Sequence, residues 1–341
     1  MPFDPDAAAA PGTGIFGLPH TLQESRIMLL PVPFDATTSY RRGTADGPEA
    51  IRTATMQVDL YDRRFGRVYE QGIFMHESPA EIRHLSDRAG ELAAPLIEGG
   101  GTTGDAKEDQ RILHQVNAAC EQVNAFTYHQ TKLVLNAGKI PGLLGGEHSV
   151  PFGAIRAVAE HYGAIGILHL DAHMDFREAF EGFAWSHASI MHNVLSRIPQ
   201  VTKLVQVGIR DVGERELEFA RAQGGRVEVR YDDVWAEQLG NGTRFNDLAA
   251  SVIAALPDKV YVSFDIDALD PSLCPNTGTP VPGGLSFNQA SLILQMLRES
   301  GKTVVGFDLV EVAPGAEEAP EWDANVGARV LYKLCGAAMP R

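Results

Sequence analysis

In the stretch GAIGILHLDAHMDFR (residues 163–177), an apolar run ends in polar side chains at every second position. The run 164–170 is continuous rather than alternating, which marks a strand covered on both faces. Beyond it Asp171, His173 and Asp175 alternate with Ala172 and Met174. In extended chain these three polar side chains point the same way, roughly 7 Å apart. A modest curl of the backbone brings them to one centre. Read alone, the stretch is better explained as a polar loop after a strand, so the rest of the chain has to decide.

Outward from this stretch the same rhythm repeats. Apolar runs at 140–144, 201–207, 226–230, 259–264 and 303–309 alternate with helical patterns at 151–162, 213–223, 244–256, 287–300 and 325–336. Strand and helix in alternation predict an α/β fold with a parallel, doubly wound sheet. Upstream, Ile27–Val32 reads as a strand, PEAIRTATMQ as a helix with Pro48 in its first turn, and 108–137 as one long helix. Residues 1–24 read as a flexible lead-in and 25–341 as a single domain. Residues 70–105, polar with a Gly-rich end, read as a surface excursion.

Ligands of such sheets bind beyond the carboxyl ends of the strands. Three further strand ends carry ligand-type residues. PGLLGGEHSV ends its apolar run in Gly145-Gly146 and presents His148; KVYVSFDIDALDPS presents Asp265 and Asp267, two apart; TVVGFDLVEVAP presents Asp308 and Glu311. Carboxylates at the ends of Val/Ile/Phe-rich strands are costly to bury unless paired or metal-bound. His148, Asp171, His173, Asp175, Asp265 and Asp267 together form an oxygen-rich set of four carboxylates and two imidazoles. Four negative charges are too many for one divalent ion and suit two. Oxygen and imidazole donors suit Mn²⁺ ahead of Ni²⁺, Zn²⁺ or Fe²⁺, and the lack of thiolates argues against structural zinc.

Composition narrows the classes of partner. The 341-residue chain carries a net charge of −15, which repels nucleic acid and anionic membranes. No apolar run approaches the roughly 18 residues that span a bilayer. Cys120, Cys274 and Cys335 are odd in number and far apart, so no disulfide framework is expected. With an N-terminus unlike a signal peptide, this places the protein in a reducing cytoplasm.

With GGEHS, DAHMD, SFDIDALDP and EVAP in that order, the chain resembles the ureohydrolases, the family of arginase and agmatinase, over about residues 25–336. The resemblance implies a three-layer α/β/α sandwich and two Mn²⁺ per subunit, with Ni²⁺ the alternative. It implies that His148, Asp171, Asp175 and Asp265 hold one ion and Asp171, His173, Asp265 and Asp267 the other. A hydroxide between the ions would hydrogen-bond to Asp175, Glu311 would bind the substrate guanidinium, and His187 in WSHASIMHN would shuttle protons. It also implies a homo-oligomer, a trimer or hexamer. The segments SFDIDALDP, TGTPVPGGLS and SHASIM are most similar to agmatinases, with agmatine cleaved to putrescine and urea.

Specificity is expected in the loop from Phe176 to Trp185. Glu178 and Glu181 suit a second cation on the substrate, and Trp185 with Trp322 suits a small aromatic pocket that attracts a cation. Such a tight pocket favours free guanidine or a short guanidino acid, so guanidinobutyrate, guanidinopropionate, guanidine and arginine stand as alternatives. A catalytically silent paralogue would lack a ligand, and here all six positions are filled. The pattern departs from the family at Glu147, usually Asp, at Met191-His192-Asn193, at Cys274 and Asn276, and in WDANVGA (322–328). His169 is expected to support the ligands, and Asp270 to serve a turn.

Overall fold

The computed structural model describes residues 3–10, 12–315 and 321–340. Among the described residues eight strands are formed: β1 (Ile27–Val32), β2 (Ile73–Met75), β3 (Ile140–Gly145), β4 (Ile165–Leu170), β5 (Val201–Ile209), β6 (Val227–Tyr231), β7 (Lys259–Asp265) and β8 (Thr303–Val310). They build one sheet in the order β2-β1-β3-β8-β7-β4-β5-β6, and every pairing is parallel. Among the described residues ten α-helices cover it: α1 (Gly47–Ala54), α2 (Ala80–Glu98), α3 (Ala106–Asn136), α4 (Phe152–Tyr162), α5 (Ile190–Arg197), α6 (Glu214–Ala222), α7 (Asp232–Gly240), α8 (Phe245–Ala255), α9 (Phe287–Glu299) and α10 (Trp322–Ala337). No described helix is long and apolar enough to cross a membrane.

Each sheet face has its own core, as expected of strands that are apolar on both sides. One joins Leu168, Leu170, Val262, Phe264 and Leu309 to α1, α8, α9 and α10. The other joins Leu143, Ile167, Leu204, Tyr261 and Val305 to α2, α3, α4 and α5. The strand order has a consequence for function. Strands β3, β8, β7 and β4, which are far apart in sequence, lie side by side, so their carboxyl ends meet at mid-sheet.

Two expectations need correction. Residues 70–105 are not merely a surface excursion, because β2 pairs with β1 and α2 buries Ile82, Ala89, Ala93 and Leu96. Strand β2 is only three residues long and α2 is polar on its outer side, which is why the pattern was weak. The lead-in 1–24 contributes to the core: Ile15, Phe16 and Leu18 are buried, the Phe16 amide donates to Thr55 Oγ1 at 3.1 Å, and its ring tilts against Tyr332. The three cysteines are buried and unpaired.

Candidate metal centre and cleft

Three strand ends, those of β3, β4 and β7, deliver the candidate ligands. After β3, Gly146 packs so closely that a Cβ there would lie 2.1 Å from the Phe34 carbonyl oxygen, so only glycine lets the chain turn to present His148. From the end of β4 come Asp171, His173 and Asp175, and from β7 come Asp265 and Asp267. All six side chains gather in one place, and only His173 is more than marginally exposed, at 25% for its side chain.

His148 Nδ1 lies 3.0 Å from Asp171 Oδ2, 3.2 Å from Asp175 Oδ2 and 3.2 Å from Asp265 Oδ2. His173 Nδ1 lies 3.1 Å from Asp267 Oδ2 and 3.4 Å from Asp171 Oδ1. Asp171 thus faces both histidines. Three carboxylate oxygens are committed to backbone: Asp171 Oδ1 accepts from the His173 amide, Asp267 Oδ1 from the Ala172 amide, and Asp265 Oδ1 from the Asp267 amide. Yet His148 Nδ1, Asp171 Oδ2 and Asp267 Oδ2 are buried without a hydrogen-bond partner. Buried polar atoms are rarely left so, and here they converge on one another.

The electrostatics agree. Burial, then the charges of Asp267 and Asp171, push the Asp265 carboxyl well above its ordinary range. Burial and Asp171 push Asp175 up to about 6. Burial also acts on Asp171, but the imidazoles of His169, His148 and His173 outweigh it and hold that carboxyl well below the usual range. Like charges this close need a shared cation, and the donor set fits oxygen- and imidazole-binding divalent ions.

Outer contacts orient the ligands. His148 Nε2 lies 2.9 Å from Ser263 Oγ, whose own hydrogen goes to Asp308 Oδ1 at 3.0 Å. Ser263 therefore accepts from Nε2, and Nδ1 faces the carboxylates. His169 Nδ1 accepts from Gln206 Nε2 at 2.9 Å, and His169 Nε2 lies 2.8 Å from Asp171 Oδ2. His169 thus lies against Asp171, and it stands with His148, Asp171 and Asp175 in one group of potential ligands. Asp175 and Glu311 have positive φ, 56° and 62°, a region few non-glycine residues occupy.

Glu311, just past β8, is buried. Its Oε1 accepts from the His148 amide at 2.7 Å, and its Oε2 has no partner among the described residues. Burial, then the charge of Glu147, push its carboxyl well above the usual range. An open cleft of ≈ 300 Å³ adjoins the cluster and is lined by His173, Asp175, Arg177, His187, Asp211 and Glu216, among others.

The model of the Arginase family matches residues 25–336. The chain belongs to the arginase family. It is a ureohydrolase, a hydrolase of guanidino C–N bonds. It is 33% identical over 325 residues to N(1)-aminopropylagmatine ureohydrolase of Thermus thermophilus, covering 94% of each chain. It is 31% identical over 321 residues to agmatinase of Bacillus anthracis, covering 93% of each. In fold it is similar to proclavaminate amidino hydrolase from Streptomyces clavuligerus, with a TM-score of 0.73 at 24% identity over 97% of this chain and 98% of that one.

Around the family motifs, the cleft differs from what the sequence suggested. Trp185 does not line it. The indole packs edge-on against Phe152 at 4.8 Å beneath the Arg197 guanidinium, on the far side of its loop. Trp322 is exposed and donates to the Ser272 carbonyl, so the two tryptophans form no pocket at the cleft. Glu178 and Glu181 are also absent from the lining. Arg177, from the same loop, takes their place, its guanidinium 4.7 Å above the Phe180 ring and 3.8 Å from Glu216 Oε2. Glu216 itself is held by the Phe176 and Gly213 amides.

Sequence reasoning missed Glu216, which sits on a polar helix with nothing in its spacing to mark it. Two departures from the arginase-family pattern meet in space: the amide and side chain of Asn276 both donate to Asp323. The neighbouring Thr277 hydroxyl donates to the Glu311 carbonyl, so this pair anchors the loop beside Glu311. Asp270 caps its turn through the Ser272 amide, as expected.

Proposed function

We propose that the chain hydrolyses a guanidino compound to urea and an amine, with agmatine and putrescine as the favoured pair, at a centre holding two Mn²⁺, Ni²⁺ being the alternative. The observation that carries this reading is the convergence of six ligand-type side chains with buried, unpartnered donor and acceptor atoms beside the cleft. His148, Asp171, Asp175 and Asp265 would hold one ion, and Asp171, His173, Asp265 and Asp267 the other. Bound divalent ions acidify water, so that hydroxide is available near neutral pH to attack the guanidine carbon.

The protein's own groups do the rest. Glu311 carries one unpartnered carboxylate oxygen, suited to the N–H groups of a planar guanidinium, and holds the carbon in place. Asp175 lines the cleft and accepts a hydrogen bond from the attacking water. His187 faces the same cleft, with Nδ1 2.9 Å from the Thr37 carbonyl. Its Nε2 takes the proton released on attack and returns it to the leaving nitrogen.

An amine-tailed substrate is favoured by the relatives named agmatinase and N(1)-aminopropylagmatine ureohydrolase and by the exposed Asp211 carboxylate in the cleft. Arg177 favours a second reading, in which the tail is a carboxylate as in guanidinobutyrate. The test is urea release by the Mn²⁺-loaded protein from agmatine, N(1)-aminopropylagmatine, guanidinobutyrate, guanidinopropionate, guanidine and arginine. The highest kcat/KM is expected for agmatine. Preference for guanidinobutyrate selects the second reading, and urea from none of them refutes both. We also propose a cytoplasmic homo-oligomer, a trimer or hexamer.

A further inference from the structure

Glu147 is completely buried next to His148, yet it takes no place in the ligand cluster. Its carboxylate accepts four hydrogen bonds: from the Thr37 amide at 2.7 Å, Thr37 Oγ1 at 2.8 Å, Ser149 Oγ at 2.5 Å and Thr38 Oγ1 at 3.3 Å. Thr37 passes this constraint on. With its hydroxyl hydrogen committed to Glu147, Thr37 Oγ1 accepts from the His187 amide at 3.1 Å. The Thr37 carbonyl lies 2.9 Å from His187 Nδ1. A carbonyl only accepts, so Nδ1 must carry the proton, and in the neutral ring Nε2 is left with its lone pair. Among the described residues nothing else within hydrogen-bond reach of His187 has that effect, because Ser186 and Ser39 approach only to 3.4 Å and a hydroxyl serves either tautomer.

We infer that Glu147 is a positioning residue which, through Thr37, fixes the backbone, ring orientation and tautomer of His187. This rests on the reading of His187 as the group that moves a proton. Buried hydrogen-bond chains of this kind are fully satisfied only with an acceptor at both carboxylate oxygens. Glutamine at 147 turns an NH₂ toward one of the Thr37 donors in either amide orientation.

The test reads ring signals from the full chain labelled with ¹⁵N-histidine and saturated with diamagnetic Zn²⁺, and kcat from the Mn²⁺-saturated chain, the His187 ring signals being assigned by their loss in His187→Asn. In the unsubstituted protein a single tautomer protonated at Nδ1 is expected. In Glu147→Gln and in Thr37→Val the ring nitrogens should move toward averaged values. With agmatine, kcat should fall about 10- to 100-fold while KM changes less than about twofold, as for a displaced catalytic group. Ser149→Ala removes an equally short bond to the same carboxylate, off the path to Thr37, and should leave the ring signals in place. Unchanged ring signals with kcat within about twofold in both Glu147→Gln and Thr37→Val would overturn the inference, as would an equal shift in Ser149→Ala. Should Glu147→Gln not fold, Thr37→Val decides alone. If the unsubstituted protein releases no urea, the function reading fails while the ring signals still decide the positioning.

Discussion

At the scale of single residues, the candidate ligand cluster is a set of carboxylates that must either take up protons or share a cation. Three carboxylate oxygens within 3.2 Å of one imidazole nitrogen define where that cation belongs. Asp175 stands apart because it also lines the cleft and holds a positive φ. Asp175→Ala should lower urea release by at least about 10²-fold, since it removes a proposed ligand and the proposed acceptor for the attacking water. Activity within about twofold of the parent would refute that double role. Arg177 decides between substrate tails. If the tail is an amine, Arg177→Ala leaves or improves kcat/KM for agmatine; a selective loss with guanidinobutyrate as the better substrate would show an anionic tail.

His187 supplies a pH dependence with a definite sign. Burial, with the neighbouring His173 charge, lowers it to about 4. In the unfolded chain a histidine binds its proton near pH 6.5. Between these values the unfolded state holds a proton that the folded state refuses, so stability falls as pH drops from about 6.5 to about 4. His187→Asn should flatten that part of the acid limb, read from urea-denaturation midpoints of the metal-free protein across this range. An unchanged limb would mean that His187 is not the group responsible.

At the scale of elements, what was legible and what was not divide along physical lines. Long apolar runs such as Ile165–Leu170 and Lys259–Asp265 announce buried parallel strands, and ligand residues at their ends announce the site, because burying charge needs a reason. Strand β2 carries too few residues to show a period, and α2 reads as polar because only one narrow face is buried. The direction of Trp185 was invisible for another reason. It lies two residues from His187, but the loop sends the indole to the α3–α4 side and the imidazole to the cleft. Spacing sets which side chains alternate in a strand, not how a loop turns. Ile15–Gly17 likewise follows a Pro/Ala/Gly-rich stretch that masks a three-residue anchor. Phe16→Ala should cost about 3–5 kcal/mol of unfolding free energy, as for other buried aromatic truncations, with kcat per folded molecule unchanged. A loss below about 1 kcal/mol would show that the segment is not packed as described.

At the scale of the whole molecule, the strand order turns four distant sequence motifs into one site. Strands β3, β8, β7 and β4 are contiguous in the sheet, so GGEHS, EVAP, SFDIDALDP and DAHMD are neighbours although more than 160 residues separate His148 from Glu311. The cores on both faces hold the strand ends in register, and the contacts from Ser263, Gln206 and Thr37 set the imidazoles. The most direct measurement of this account is anomalous X-ray scattering at the manganese edge from crystals of Mn²⁺-saturated protein. Two peaks per chain are predicted, one among His148, Asp171, Asp175 and Asp265 and one among Asp171, His173, Asp265 and Asp267. A single peak, or manganese bound away from these side chains, would contradict it.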